Sequence, residues 1–173
     1  MMNTLLLIVL RILHVVGGAL WVGVAVLFSF FLSPAIKALG ADGQKLSLKI
    51  GNNFSKFMGT ITTLNILSGF WLYYLGSGGL KWAWITSRSG IGFSLGALAG
   101  IGAFFVGGFG MNKTAAQLRA ASDALAAKAG SPAPDLASQV ASLTKTLHFY
   151  ETVDFWLLAA AMLLMATARY WSF

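Results

Sequence analysis

Four apolar runs, each long enough to cross a lipid bilayer as a helix, constrain this chain more than any other feature. They cover about residues 4–36, 57–75, 90–111 and 153–171. A hydrocarbon core of about 30 Å takes about 20 helical residues to cross. Inside it only helices or closed barrels satisfy their backbone polar groups. The runs are continuous rather than alternating, so helices follow. Only 10% of the residues are charged, against about 25% in soluble domains, too few to cover the surface of a water-soluble chain this size. The expected fold class is all-α: a single membrane domain over residues 1–173, built as a four-transmembrane-helix bundle in the lipid bilayer.

Charge sets the expected orientation. An even number of crossings puts both termini on one face. The opposite face then carries Lys37, Lys45, Lys49, Lys56, Lys113, Arg119, Lys128 and Lys145. The terminal face has only Arg11, Lys81, Arg88 and Arg169. The positive-inside rule places the long loops in the cytoplasm and both termini outside, in a bacterial-type inner membrane. Trp71, Trp82, Trp84 and Trp171, with Tyr73, Tyr74 and Tyr170, form a one-sided aromatic belt near the outer boundary. The basic residues sit at the ends of apolar runs or in loops, without the interleaved aromatics of a nucleic-acid surface, so nucleic acid is not an expected partner. With no cysteine, disulfides, thiolate metal sites, iron–sulfur clusters and cysteine catalysis are excluded.

Between the third and fourth runs lies an Ala-rich helical stretch, then Gly130-Ser131-Pro132-Ala133-Pro134, then a second stripe of Leu136, Val140, Leu143 and Leu147. Gly ends helices and Pro begins them. Residues 113–148 are therefore expected as a cytoplasmic helical hairpin extending helices 3 and 4. Residues 41–56 read as an amphipathic segment lying on the headgroups. In the third run Gly92, Gly96, Gly100, Ala103 and Gly107 share one face, which suits close helix packing, or a flat ligand lying there.

Ionisable residues inside a membrane are costly and mark functional sites by default. Along the first helix Arg11, His14, Gly18 and Trp21 share a face at spacings of three, four and three. Gly17 and Gly18 leave room beside the imidazole. At 1.5 Å per residue, His14 lies about 4.5 Å inside Arg11, and Met165 about 6 Å inside Arg169, level with it. Met162 is one turn deeper. A His with a thioether suits haem, and His with Met suits Cu(I). Arg11 and Arg169 are candidate partners for haem propionates. His148 lies about 27 Å deeper than His14, which rules out one haem held by both histidines. Glu151 and Asp154, spaced i, i+3, form a carboxylate pair that could relay protons, although capping or pairing with Lys56 or Lys145 is the plainer expectation. Met in a membrane helix is commonly filler, and a lone His is commonly hydrogen-bonded to a neighbour.

These residues carry a resemblance. Leu13-His14, then Trp21-Val22-Gly23 and Phe30-Phe31-Leu32-Ser33-Pro34-Ala35, resembles the opening helix of CopD-like membrane domains; HemJ-type protoporphyrinogen oxidases share the His-to-Trp spacing. Ser68-Gly69-Phe70-Trp71-Leu72 resembles the end of the CopD-like second helix, and Ala168-Arg169-Tyr170 the last-helix ending of four-helix relatives. The resemblance implies copper handling or haem-linked redox chemistry centred on His14. The HemJ-type enzymes carry a further histidine just after the first helix, where this chain has Ser33-Pro34-Ala35-Ile36-Lys37. CopD proper is longer, with more helices.

The expected function is that of a small membrane protein binding a redox cofactor, haem b first, acting in electron transfer or as a subunit of a larger membrane complex. Its partners are then other membrane subunits or further copies of itself. Copper handling through His14 with Met165 or Met162, and a cofactor-free accessory subunit, are the alternatives. Enzymatic activity is not the leading expectation.

Overall fold

The computed structural model describes residues 4–128 and 133–171. Helix α1 spans Thr4–Ala38 and α2 spans Gly40–Gly76. A single turn, α3, covers Trp82–Ile85. Helix α4 spans Arg88–Ala127, and α5 spans Pro134–Thr167 before a closing 3-10 turn at Ala168–Tyr170. No strand occurs among the described residues.

Three of these elements (Thr4–Ala38, Arg88–Ala127 and Pro134–Tyr170) are long and apolar enough to cross a membrane. Helix α2 has the length but a more polar sequence, with Lys45, Lys49 and Lys56 in its first half and Thr60, Thr62, Thr63, Asn65 and Ser68 in its second. Large apolar side chains point outward on the helices: Leu5, Ile12, Val15, Leu98, Trp156 and Leu163 are all exposed. That surface belongs against lipid rather than water.

One boundary differs from the sequence reading. Residues 41–56 are not a separate segment on the headgroups; they continue without a break into α2. Their lysines mark where the helix meets water, and a helix need not end there. Helices α4 and α5 run without a break into residues 113–127 and 134–148, and these extensions pack together. The expected turn at residues 130–134 falls largely outside the described residues. Arg119 on the α4 extension lies against Gly51 of α2.

Local chemistry explains the reversals. The turn from α1 to α2 is a single residue, Leu39, and Gly40 takes a left-handed φ of 56° that a side chain would strain. After α2, Ser77 Oγ donates to the Tyr74 carbonyl at 3.0 Å and accepts the Leu80 N–H at 2.8 Å. That second bond holds Leu80 at φ 61°, a conformation costly for a residue with a side chain.

Helix α1 packs on α2, α4 packs on α5, and contacts between α1 and α5 join the two pairs. Trp21, Ala25, Ala103 and Leu158 form the shared core. The glycine face of α4 receives α5: a Cβ at Gly92 would stand 2.9 Å from that of Ala168, and one at Gly96 2.7 Å from Met165 Cγ. Close packing between helices is what this face provides.

Both α1 and α4 widen into a π-helical turn toward the same end of the bundle, at Phe28–Leu32 and Val106–Met111. In α1 the cause is Pro34. It has no N–H for the Phe30 carbonyl, and its ring crowds the preceding turn. The Ser33 N–H bonds Phe28 O, five residues back. In α4 the segment holds Gly107, Gly108 and Gly110, and the Asn112 N–H bonds Gly107 O. Single π turns inside α-helices frequently mark functional sites.

Candidate functional site

His14 is half-buried on α1 and faces α2. Its Nδ1 lies 3.0 Å from the backbone carbonyl oxygen of Asn65. A carbonyl can only accept, so Nδ1 carries a proton and donates it into this bond, which leaves Nε2 as the ring nitrogen available to a ligand. The ring lies over Gly69, where a Cβ would stand 2.5 Å from Cε1 and 2.8 Å from Nδ1. Only glycine leaves room for it. Ser68 Oγ, buried beside it, donates to the carbonyls of Leu64 at 2.7 Å and Asn65 at 3.0 Å.

Asn65 itself is only 6% exposed, and its Oδ1 has no hydrogen-bond partner. Its side chain crosses α1 at Gly17 and Gly18, where a Cβ would stand 3.4 Å from Asn65 Cβ and 3.3 Å from Asn65 Nδ2, respectively. The two glycines, expected to clear space beside the imidazole, make room for Asn65.

The other residues of the expected site have different neighbours. Trp21 is buried in the core with Ala25, Ala103 and Leu158. Met165 packs on Gly96 of α4, whereas His14 packs on α2. Met162 is 50% exposed, and Arg11 and Arg169 are exposed. Among the described residues no group of three His, Cys, Asp or Glu side chains is placed to hold a metal ion.

A second polar cluster occupies the other end of the bundle, at the level of the π turns. Ser33 Oγ donates to Glu151 Oε2 at 3.0 Å, and His148 Nδ1 lies 3.5 Å from the same oxygen. Asp154 is buried, 6% exposed, and its Oδ1 has no partner. No lysine or arginine among the described residues pairs with either carboxylate, so the expected partners Lys56 and Lys145 do not supply the counter-charge. The ring of Phe30, in the first π turn, meets Phe155 edge-on at 5.2 Å. Gly110, in the second, lies against Tyr150. The two contacts bracket Asp154 between the π turns. The sequence signals for this cluster were Ser33-Pro34 and the glycines at 107, 108 and 110, which mark irregular helix.

No family model, curated protein or solved structure matches this chain.

Proposed function

We propose that the chain is an integral membrane protein of four transmembrane helices that binds a redox cofactor through His14, haem b first. It acts in electron transfer or as a subunit of a larger membrane complex. The observation that carries this reading is the hydrogen bond from His14 Nδ1 to the Asn65 carbonyl. Metal-ligating histidines almost always donate their other ring N–H to a carbonyl, a carboxylate or water, which fixes the tautomer and raises the basicity of the ligating nitrogen. The unpartnered Asn65 Oδ1 supports the same site, since it is a buried acceptor one turn from Gly69 that lacks a donor. A haem held by histidine supplies one-electron chemistry. Arg11 and Arg169, exposed on the terminal face, are the candidate partners for its propionates.

Helix α2 is the fourth crossing in this reading. Its 37 residues reach about 55 Å, well beyond a hydrocarbon core, and it packs along α1, itself apolar enough to span. The charge distribution puts both termini outside and the extensions of α4 and α5 in the cytoplasm. Copper has less support, because Met165 is committed to Gly96 and Met162 is half-exposed.

The absorption spectrum of the purified protein tests the proposal. A Soret band is expected in the wild type and in His148→Ala. It should be absent from His14→Ala, with helix content unchanged by circular dichroism. A colourless protein that loses copper with His14→Ala moves the assignment to copper. A protein with neither leaves His14 a packing residue in an accessory subunit.

A further inference from the structure

We infer that His148, Glu151 and Asp154 form a proton-uptake ladder, leading from water at the end of the bundle that bears the π turns to a buried terminal acceptor, Asp154 Oδ1. The three residues recur at steps of three along α5, so each lies about 4.5 Å further along the axis and neighbours the next across one turn, the series winding from the outer face of the helix toward the inner one. Burial rises along the series. The His148 side chain is 66% exposed, that of Glu151 is 10% exposed, and Asp154 is 6% exposed overall. Asp154, Leu158 and Ala161 are the buried stripe of α5, so the last rung faces the interior of the bundle.

The first step has a direct contact, and the second runs between side chains that neighbour each other across one turn of α5. His148 lines a cleft of about 200 Å³ with Ser29, Thr152 and Phe155, open enough for water. Its Nδ1 lies 3.5 Å from Glu151 Oε2. Ser33, the residue that follows the first π turn, donates its hydroxyl to that oxygen at 3.0 Å. A proton from water binds His148, passes to the Glu151 carboxylate, and leaves it for Asp154 Oδ1, which becomes a neutral carboxylic acid. Glu151 returns to carboxylate and His148 to the neutral ring, so one proton is taken up and no other group changes. The free oxygen of Asp154 is the reason to end the ladder there, because a buried carboxylate with an unmade hydrogen bond is costly and a proton removes its charge. The charged groups that α1 and α4 bring to this end are Lys37 and Lys113; both are exposed, and neither is ion-paired to the ladder among the described residues. The inference is independent of any cofactor at His14.

Infrared difference spectroscopy on the full chain in lipid nanodiscs tests it. A pH step should produce a protonated-carboxyl band that shifts when aspartate is labelled with ¹³C and vanishes in Asp154→Asn. Isotope labelling assigns the band to aspartate in the wild type if Asp154→Asn does not fold. On transfer to D₂O, Glu151→Gln should slow exchange of that band by about a hundredfold, the low end of what a positioned proton donor contributes. His148→Ala should slow it less, since water in the cleft replaces the ring. The inference is overturned if the wild type shows no aspartic acid band, if exchange in Glu151→Gln matches the wild type, or if sodium or potassium at fixed pH removes the band, which would make Asp154 a metal-cation site.

Discussion

At the His14 end, polar groups are held by backbone and glycine; at the Asp154 end, they are held by side chains within loosened helix. His14 donates from Nδ1 to a carbonyl of α2 and sets its Cε1–Nδ1 edge against Gly69. Gly17 and Gly18 close α1 onto Asn65. That end has little slack. The other end has a π turn in each of two helices, a cleft with room for water, and a carboxylate oxygen with no partner among the described residues. A tightly packed end suits a fixed ligand or a fixed helix contact. A looser end, with titratable groups graded from exposed to buried, suits a proton that must come and go.

Substitutions that add or remove atoms should therefore act oppositely at the two ends. The largest effect is expected at Gly69. A side chain there collides with the imidazole, and the ring can yield only by giving up its bond to Asn65. Gly69→Val should destabilise the protein by about 3 kcal/mol, the upper part of the range for overpacking, read from the midpoint of unfolding in mixed SDS and dodecyl maltoside micelles. Any Soret band should be lost with it. Full stability in Gly69→Val would mean that the His14 end has as much slack as the other, and the comparison would fail.

What the sequence revealed, and what it hid, divides along the same physical line. Apolar length announced the helices, and the rise per residue gave depth, which placed Met165 level with His14. Depth carries no azimuth. Nothing in α5 alone says that Met165 points at Gly96, or that α2, with Asn65 and Gly69, covers the imidazole. Register between helices is a property of the packed molecule. Helix ends were hidden for another reason: Lys45, Lys49 and Lys56 mark the edge of the apolar stretch, but α2 continues through them because a charged surface does not break backbone hydrogen bonds. The π turns follow from Pro34 and from the glycines at 107, 108 and 110 only after the helices are known to continue past them. The carboxylate pair itself was visible. The absence of a lysine partner was not.

At the Asp154 end the sign should reverse. Removing a buried polar atom that lacks a partner relieves a desolvation penalty of about 1–3 kcal/mol. Asp154→Val, close in volume and apolar, should raise stability by about that amount in the same unfolding assay while abolishing the aspartic acid band in the infrared. Gain of stability with loss of a function is the pattern expected where a site is maintained at the expense of packing. Loss of stability in Asp154→Val would show that the carboxyl has a partner which holds the helices together.

The smallest effect separates looseness from strain within the second π turn. Gly108 has no atom within 4 Å of where its Cβ would stand, and its φ is not left-handed. An alanine there meets no steric objection, and it lowers the conformational freedom of the unfolded chain. Gly108→Ala should therefore stabilise by about 0.5–1 kcal/mol, the usual gain at a compatible helical position. A neighbouring alanine at Gly110 would instead press on the Tyr150 ring, whose atoms lie 3.0 Å from the Cβ position, so Gly110→Ala should show little or no gain. The pair is measured in one experiment, and the difference between them is the informative quantity. If both stabilise equally, Tyr150 moves aside freely and the second π turn is not braced against α5. If Gly108→Ala destabilises, the π turn itself requires glycine, and the looseness assigned to this end is conformational strain.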